Sequence, residues 1–210
     1  MNIAIGDIHG KSCWKDFLNQ EFDQAYFAGD YFDNYEQTPA VTQIRNFKEI
    51  CDVARKDSRI HLCLGNHDFQ YMRGIPISEK YSGFQNYSYI DIQEAIESNI
   101  DLLNLIYIDN NTIISHAGVT KTWLTMINKP LDQVNNAFRE NRDICIFDGY
   151  NCYGDDITQS PIWVRPNSLL SDSIEGYNHI VGHTKVSDIT TIENITLIDC
   201  LDTIVKCYKF

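Results

Sequence analysis

Short apolar runs that break at glycine or aspartate alternate along this chain with longer stretches in which apolar residues recur every three or four positions. The first kind reads as buried strands and the second as amphipathic helices. Strands are predicted at Ile3 to Ile5, Ala25 to Ala28, Ile60 to Leu64, Thr112 to Ser115 and His179 to Val181. Ser12 is placed to cap a helix with Trp14, Phe17 and Leu18 on one face. Thr38 as cap and Pro39 as first residue open a long helix whose buried stripe is Val41, Ile44, Phe47, Cys51 and Ala54. Further helices are predicted over 91–103, 121–127 and 131–141, the first on an Asp91/Glu94 cap pattern. Three closing runs, Ile189 to Ile192, Ile195 to Ile198 and Thr203 to Tyr208, look antiparallel and joined by short turns.

Strand-to-helix passages of this kind build parallel βαβ units, which makes the fold class α/β. In such sheets the loops at the carboxyl ends of the strands face one crevice, where ligands collect. Two stretches lack periodicity. Residues 74–89, with Tyr71, Tyr81, Tyr87 and Tyr89 in or beside them, form either an ordered surface loop or a substrate-facing lid. Residues 142–178 are irregular apart from Ile162-Trp163-Val164-Arg165, and a loop of that size with many aromatics favours function. No repeat or composition shift marks a boundary, so one domain over residues 1–210 is expected.

Composition narrows the partners. A net charge of −12, from 29 acidic and 17 basic residues, argues against a nucleic-acid footprint. Bound divalent cations would offset part of that excess. The seven cysteines are odd in number and scattered, with no CxxC, as reduced thiols in a cytosolic protein are. The chain opens on a strand and has no apolar stretch of membrane-spanning length, so a soluble, cytoplasmic protein with no membrane partner is expected.

The polar groups at the strand ends carry the chemistry. In order they are Asp7, His9, Asp30, Asn66, His116 and His183, and carboxylate, amide oxygen and imidazole together suit Mn²⁺, Fe or Zn²⁺ rather than calcium. Six such groups suffice for two metals if Asp30 bridges them. Taken singly, each is better explained by a capping carboxylate or a core histidine. His61 and His179 are assigned to structure, and Arg73 to a solvated helix face.

Five blocks now stand in order: Gly-Asp-Ile-His-Gly (6–10), Gly-Asp-Tyr-Phe-Asp-Asn (29–34), Gly-Asn-His-Asp (65–68), His-Ala-Gly (116–118) and Gly-His-Thr (182–184). The pattern resembles the calcineurin-like metallophosphoesterases, and within them the phosphoprotein-phosphatase branch with its bacterial and phage protein phosphatases and diadenosine tetraphosphatases. The resemblance implies two mixed β-sheets flanked by helices. It implies a first metal on Asp7, His9 and Asp30 and a second on Asp30, Asn66, His116 and His183, with hydroxide between them attacking phosphorus directly. Mn²⁺ is the foremost candidate, Fe or Zn²⁺ the alternatives. His67 would protonate the leaving oxygen and Asp33 would orient it. Arg165, after Trp163, resembles a substrate arginine of bacterial members, with a surface arginine stacked on the indole as the alternative. The chain departs from the protein-phosphatase pattern at Asn34, which stands where relatives carry a second arginine and keeps only a hydrogen bond for the phosphate.

Three functions follow as expectations. The first is a phosphomonoesterase acting on protein phosphoserine or phosphothreonine. The second is a hydrolase of dinucleoside polyphosphates or other nucleotides, favoured by the missing arginine and the tyrosines. The third is a catalytically weak binding scaffold.

Overall fold

The computed structural model describes residues 1–34, 38–76, 83–147 and 154–210. Side chains alternate across each of the first strands, and that alternation sets the layers. In β1 (Ile3–Ile5), Ile3 and Ile5 face the helices while Ala4 faces the second sheet. β2 (Ala25–Phe27) and β3 (Ile60–Cys63) repeat the division, with Tyr26 and Cys63 on the inner side. These three run parallel, Ile3 opposite Ala25 and Ala25 opposite Ile60. β4 (Leu103–Asn104) extends the sheet at one edge, and β10 (Tyr208–Lys209) pairs antiparallel with β1 at the other.

The second sheet has the order β5-β6-β7-β9-β8. Its strands are β5 (Ile106–Asp109), β6 (Thr112–Ser115), β7 (Asn178–Val181), β8 (Thr190–Ile192) and β9 (Ile195–Leu197). β6, β7 and β9 are parallel, and β5 and β8 flank them antiparallel. Ala4, Tyr26, Ala28, Cys63, Ile114, Ile180 and Ile198 fill the space between the sheets. Two mixed sheets flanked by helices are therefore the architecture, as the sequence led us to expect.

Several boundaries differ from the pattern-based reading. α1 (Trp14–Leu18) is preceded by Cys13 with no side-chain cap, so Ser12 contributes only its carbonyl, to Lys15. α2 (Ala40–Lys56) starts one residue later than predicted, with the Pro39 carbonyl taking the Thr42 and Gln43 N–H groups and Thr38 making no cap. Val41 is 72% exposed, against the predicted stripe. Gln43 and Asn46 turn inward instead, because their amides have partners there. Asn46 takes the Trp14 indole N–H at 2.9 Å, and Gln43 donates to the Thr38 carbonyl at 2.6 Å.

α3 (Asn66–Phe69) is a single turn directly after β3, and α4 (Tyr89–Glu97) begins before Asp91 and stops short of Leu103, which belongs to β4. α5 (Lys121–Met126) is capped by Thr120 Oγ1, and α6 (Val134–Glu140) follows a 3-10 turn over Leu131–Gln133. The stretch 142–178 is less irregular than predicted. It contains α7 (Pro166–Asp172), with Pro166 in its first turn, and the run Ile162 to Val164 is a buried turn on the Ser160 carbonyl.

The third closing run does not extend the hairpin of β8 and β9. Residues 200–204 form a turn, Ile204 and Val205 are exposed, and the chain crosses to the first sheet as β10. Of the lid tyrosines, Tyr71 is fully buried under a stacked Phe84 ring 4.6 Å away, while Tyr81 lies outside the described residues. Six cysteines are free thiols; Cys152 falls outside the description. No helix among the described residues is long and apolar enough to cross a membrane.

Candidate metal centre

Asp7 and His9 follow β1, Asp30 follows β2, Asn66 and His67 follow β3, His116 follows β6 and His183 follows β7. The loops that carry them are backbone-strained and interlocked. His9, Asp30, Asp33 and His183 all adopt left-handed φ values of 40°, 51°, 62° and 61°. Such conformations cost about 1–3 kcal/mol each and persist where surrounding bonds fix them. Those bonds are present. The His9 N–H donates to the Asp30 carbonyl at 2.7 Å, and Asp68 takes the N–H groups of Gly65, Asp30 and Tyr31 at 2.8–2.9 Å. Two glycines are required by contact alone. A Cβ at Gly182 would lie 2.0 Å from Asp7 Oδ1, and one at Gly65 would lie 2.1 Å from Asp30 Oδ1.

All six predicted ligands converge. Asp7, Asp30 and His116 offer ligand atoms within 4.8 Å of one another. Asn66 Oδ1 lies 2.9 Å from His116 Nε2 and 3.0 Å from His183 Nδ1, and those two nitrogens are 3.2 Å apart. Asp30 Oδ2 sits 3.4 Å from His116 Nε2 and 3.8 Å from His9 Nε2. Each imidazole is oriented by a carbonyl at its far nitrogen: Phe32 for His9, Ala28 for His116 and Trp163 for His183. Burial lowers the pKa of all three, that of His9 to about 4, so they are neutral at pH 7.

His67 stands beside this cluster, its ring edge-on to His9 at 5.3 Å. Its Nδ1 is 2.9 Å from Asp33 Oδ2, and Asp33 also accepts from Gln70, Tyr71 and Gln85. Burial alone would lower the His67 pKa, but Asp30 and Asp33 outweigh it and hold the pKa above the ordinary imidazole value. Arg165 is half-buried and donates from Nη1 to the His183 carbonyl at 3.0 Å and to Thr184 Oγ1 at 3.1 Å, at the edge of the cluster. Asn34 is turned to backbone: its amide nitrogen donates to the His9 carbonyl and its oxygen accepts from the Thr38 N–H at 3.4 Å.

Residues 3–198 match the family model of the calcineurin-like phosphoesterases. The chain belongs to that family. As a calcineurin-like phosphoesterase it is a metal-dependent hydrolase of phosphate esters. No curated protein matches the chain. Among solved structures, a cold-active protein-tyrosine phosphatase from a psychrophilic Shewanella is similar at 18% identity and a TM-score of 0.65, over 98% of this chain and 72% of the other. A protein serine/threonine phosphatase from Saccharomyces cerevisiae is similar at 13% identity and a TM-score of 0.55, over 93% of this chain and 65% of the other. At such identities the likeness is one of fold.

The donor set of this phosphoesterase fits divalent cations on its own chemistry. With each far nitrogen bonded to a carbonyl, His116 Nε2 and His183 Nδ1 face each other and Asn66 Oδ1 as three acceptors with no proton among them. The buried carboxylates tell the same story. Burial, then Asp199 and Asp30, pushes the Asp7 pKa well up, while the histidines outweigh burial and pull Asp30 down.

Two features went unread in the sequence. Gln70, Tyr71 and Gln85 around Asp33 carry no motif signature. Asp199 follows Ile195 to Ile198 as Asp7 and Asp30 follow their strands, a signal that was there to be used. It is 4% exposed, and burial followed by Asp30 raises its pKa to about 6. His61 is structural as read, stacked on Tyr26 at 4.8 Å, and Arg73 is exposed.

Proposed function

We propose that this phosphoesterase hydrolyses phosphomonoesters at a two-cation centre, with protein phosphoserine or phosphothreonine as the substrate. The observation that carries this reading is the His67–Asp33 pair beside the donor cluster, because an imidazole held at Nδ1 by a carboxylate can give its other proton to a leaving alkoxide. Asp7, His9 and Asp30 would hold one cation and Asp30, Asn66, His116 and His183 the other. When bound, Mn²⁺ (Fe or Zn²⁺ as alternatives) supplies Lewis acidity toward water and the phosphoryl oxygens. His67 gives its Nε2 proton to the leaving oxygen while Asp33 holds Nδ1. Arg165 orients the phosphate, with its own geometry set by the His183 carbonyl. Asn34 adds at most one hydrogen bond, since its amide is engaged with the backbone.

Purified protein with Mn²⁺ should turn over p-nitrophenyl phosphate, and Asp30→Asn should abolish that turnover. Activity that survives Asp30→Asn would remove the two-cation mechanism. The solved neighbours bear the names of tyrosine and of serine/threonine phosphatases, so the phosphopeptide panel must include all three acceptors.

A second reading, a nucleotide phosphoesterase, is favoured by one cavity. It measures about 410 Å³ and is lined by Asn34, Gln43, Phe84, Gln85, Asn86 and Tyr87 among others, with no charged side chain among the described residues. Aromatic faces and amides that both donate and accept suit a heteroaromatic base. Gln85 joins this cavity to Asp33 at 3.1 Å. Faster cleavage of diadenosine tetraphosphate than of any phosphopeptide would select this reading over the first.

A further inference from the structure

Every buried carboxylate of the centre but one has a hydrogen-bond donor of its own. Asp7 takes the His183 N–H at 3.0 Å, Asp30 takes that of His67 at 2.9 Å, and Asp68 takes three backbone N–H groups. Among the described residues no donor reaches the Asp199 carboxylate. The nearby cations act on it only through space. Lys11 and Lys185 both close on Asp202, at 2.5 and 2.7 Å. A buried carboxylate that accepts no hydrogen bond is left with only longer-range help from Lys11 and Lys185.

The position of Asp199 says what is missing. It lies just past β9, whose neighbour β7 delivers His183, and its Cα would be 3.2 Å from a Cβ built on Gly6, the residue before Asp7. Its carboxylate does not lie within 4.8 Å of Asp7, Asp30 and His116 together. We infer that Asp199 is a seventh member of the centre, a positioning residue that reaches the cation held by Asp7 and His9 through an intervening water. The inference rests on the two-cation reading and extends it to a residue outside the five sequence blocks. Outer partners of this kind orient the inner shell and typically change metal affinity 10–100-fold.

Calorimetric titration of Mn²⁺ into chelator-stripped protein, with urea unfolding of the same stripped samples, tests it. The wild type should take two ions. Asp199→Asn should weaken one of them about 10–100-fold and leave the other within threefold. Asp199→Glu should recover part of that loss. Stripped Asp199→Asn should also unfold at higher urea than stripped wild type, because the repulsion of its charge by Asp7 and Asp30 has gone; a merely structural side chain would shift the midpoint down. Unchanged affinity for both ions, or a lower midpoint, overturns the inference alone. A wild type that takes up no Mn²⁺ overturns the two-cation reading and the inference with it.

Discussion

Lowering the pH from 7 to 5 should cost the folded chain about 2 kcal/mol through His179 alone. This imidazole lies on β7 between Ile113 of β6 and Ile195 of β9, and it is fully buried. Among the described residues neither of its ring nitrogens has a hydrogen-bond partner. Burial lowers its pKa to about 4, against 6.5 for the free side chain. Between those values the unfolded chain binds a proton that the folded chain refuses, so stability falls as pH drops below about 6.5 and levels off near pH 4. Linkage gives a loss of about 2 kcal/mol at pH 5 against about 0.2 at pH 7. For a chain of this size that difference is about 4–8 °C in Tm. Urea unfolding of wild type and His179→Leu at pH 7, 6 and 5, with chelator throughout, isolates the term, because every other titrating group is common to both. The variant should gain on the wild type by about 2 kcal/mol across that range. Curves that stay parallel to within about 0.5 kcal/mol would refute the reasoning, since that is the scatter of an unrelated surface change.

Two further substitutions probe the centre. Gly182→Ala places a methyl 2.0 Å from Asp7 Oδ1, so the Asp7 carboxylate must leave its place, and should abolish high-affinity Mn²⁺ uptake in calorimetry while the fold persists by circular dichroism. Asp33→Asn should lower kcat about 10²–10⁴-fold on alkyl phosphates, whose leaving oxygen needs a proton, and far less on p-nitrophenyl phosphate. Equal losses on both substrates would show that Asp33 serves the fold and not the acid.

The strand ends were legible because one physical rule governs them all. A buried parallel strand must stop at a loop, and a loop at that edge faces the crevice, so a polar residue there announces both the boundary and the site. That rule found Asp7, His9, Asp30, Asn66, His116 and His183 without any knowledge of pairing order. It failed where polar side chains are buried for partners the sequence does not name. Gln43 and Asn46 rotate the buried face of α2 away from Val41, and an apolar-only pattern has no means to see amides that bond inward. The short α7 was hidden because its seven residues hold two serines and an asparagine among the leucines. The exchange of the final segment from the second sheet to the first is a long-range choice, invisible to any local window.

The centre is drawn from two sheets that otherwise share a narrow apolar seam. Asp7, His9, Asp30 and Asn66 hang from one, His116 and His183 from the other, and small side chains such as Ala4 and Ala28 line the gap between. Any cation bound across that divide acts as a suture as well as a reagent. Loading the protein should therefore slow amide exchange in β1 and β7 together, and stripping it should let the two layers breathe apart from the open edge inward.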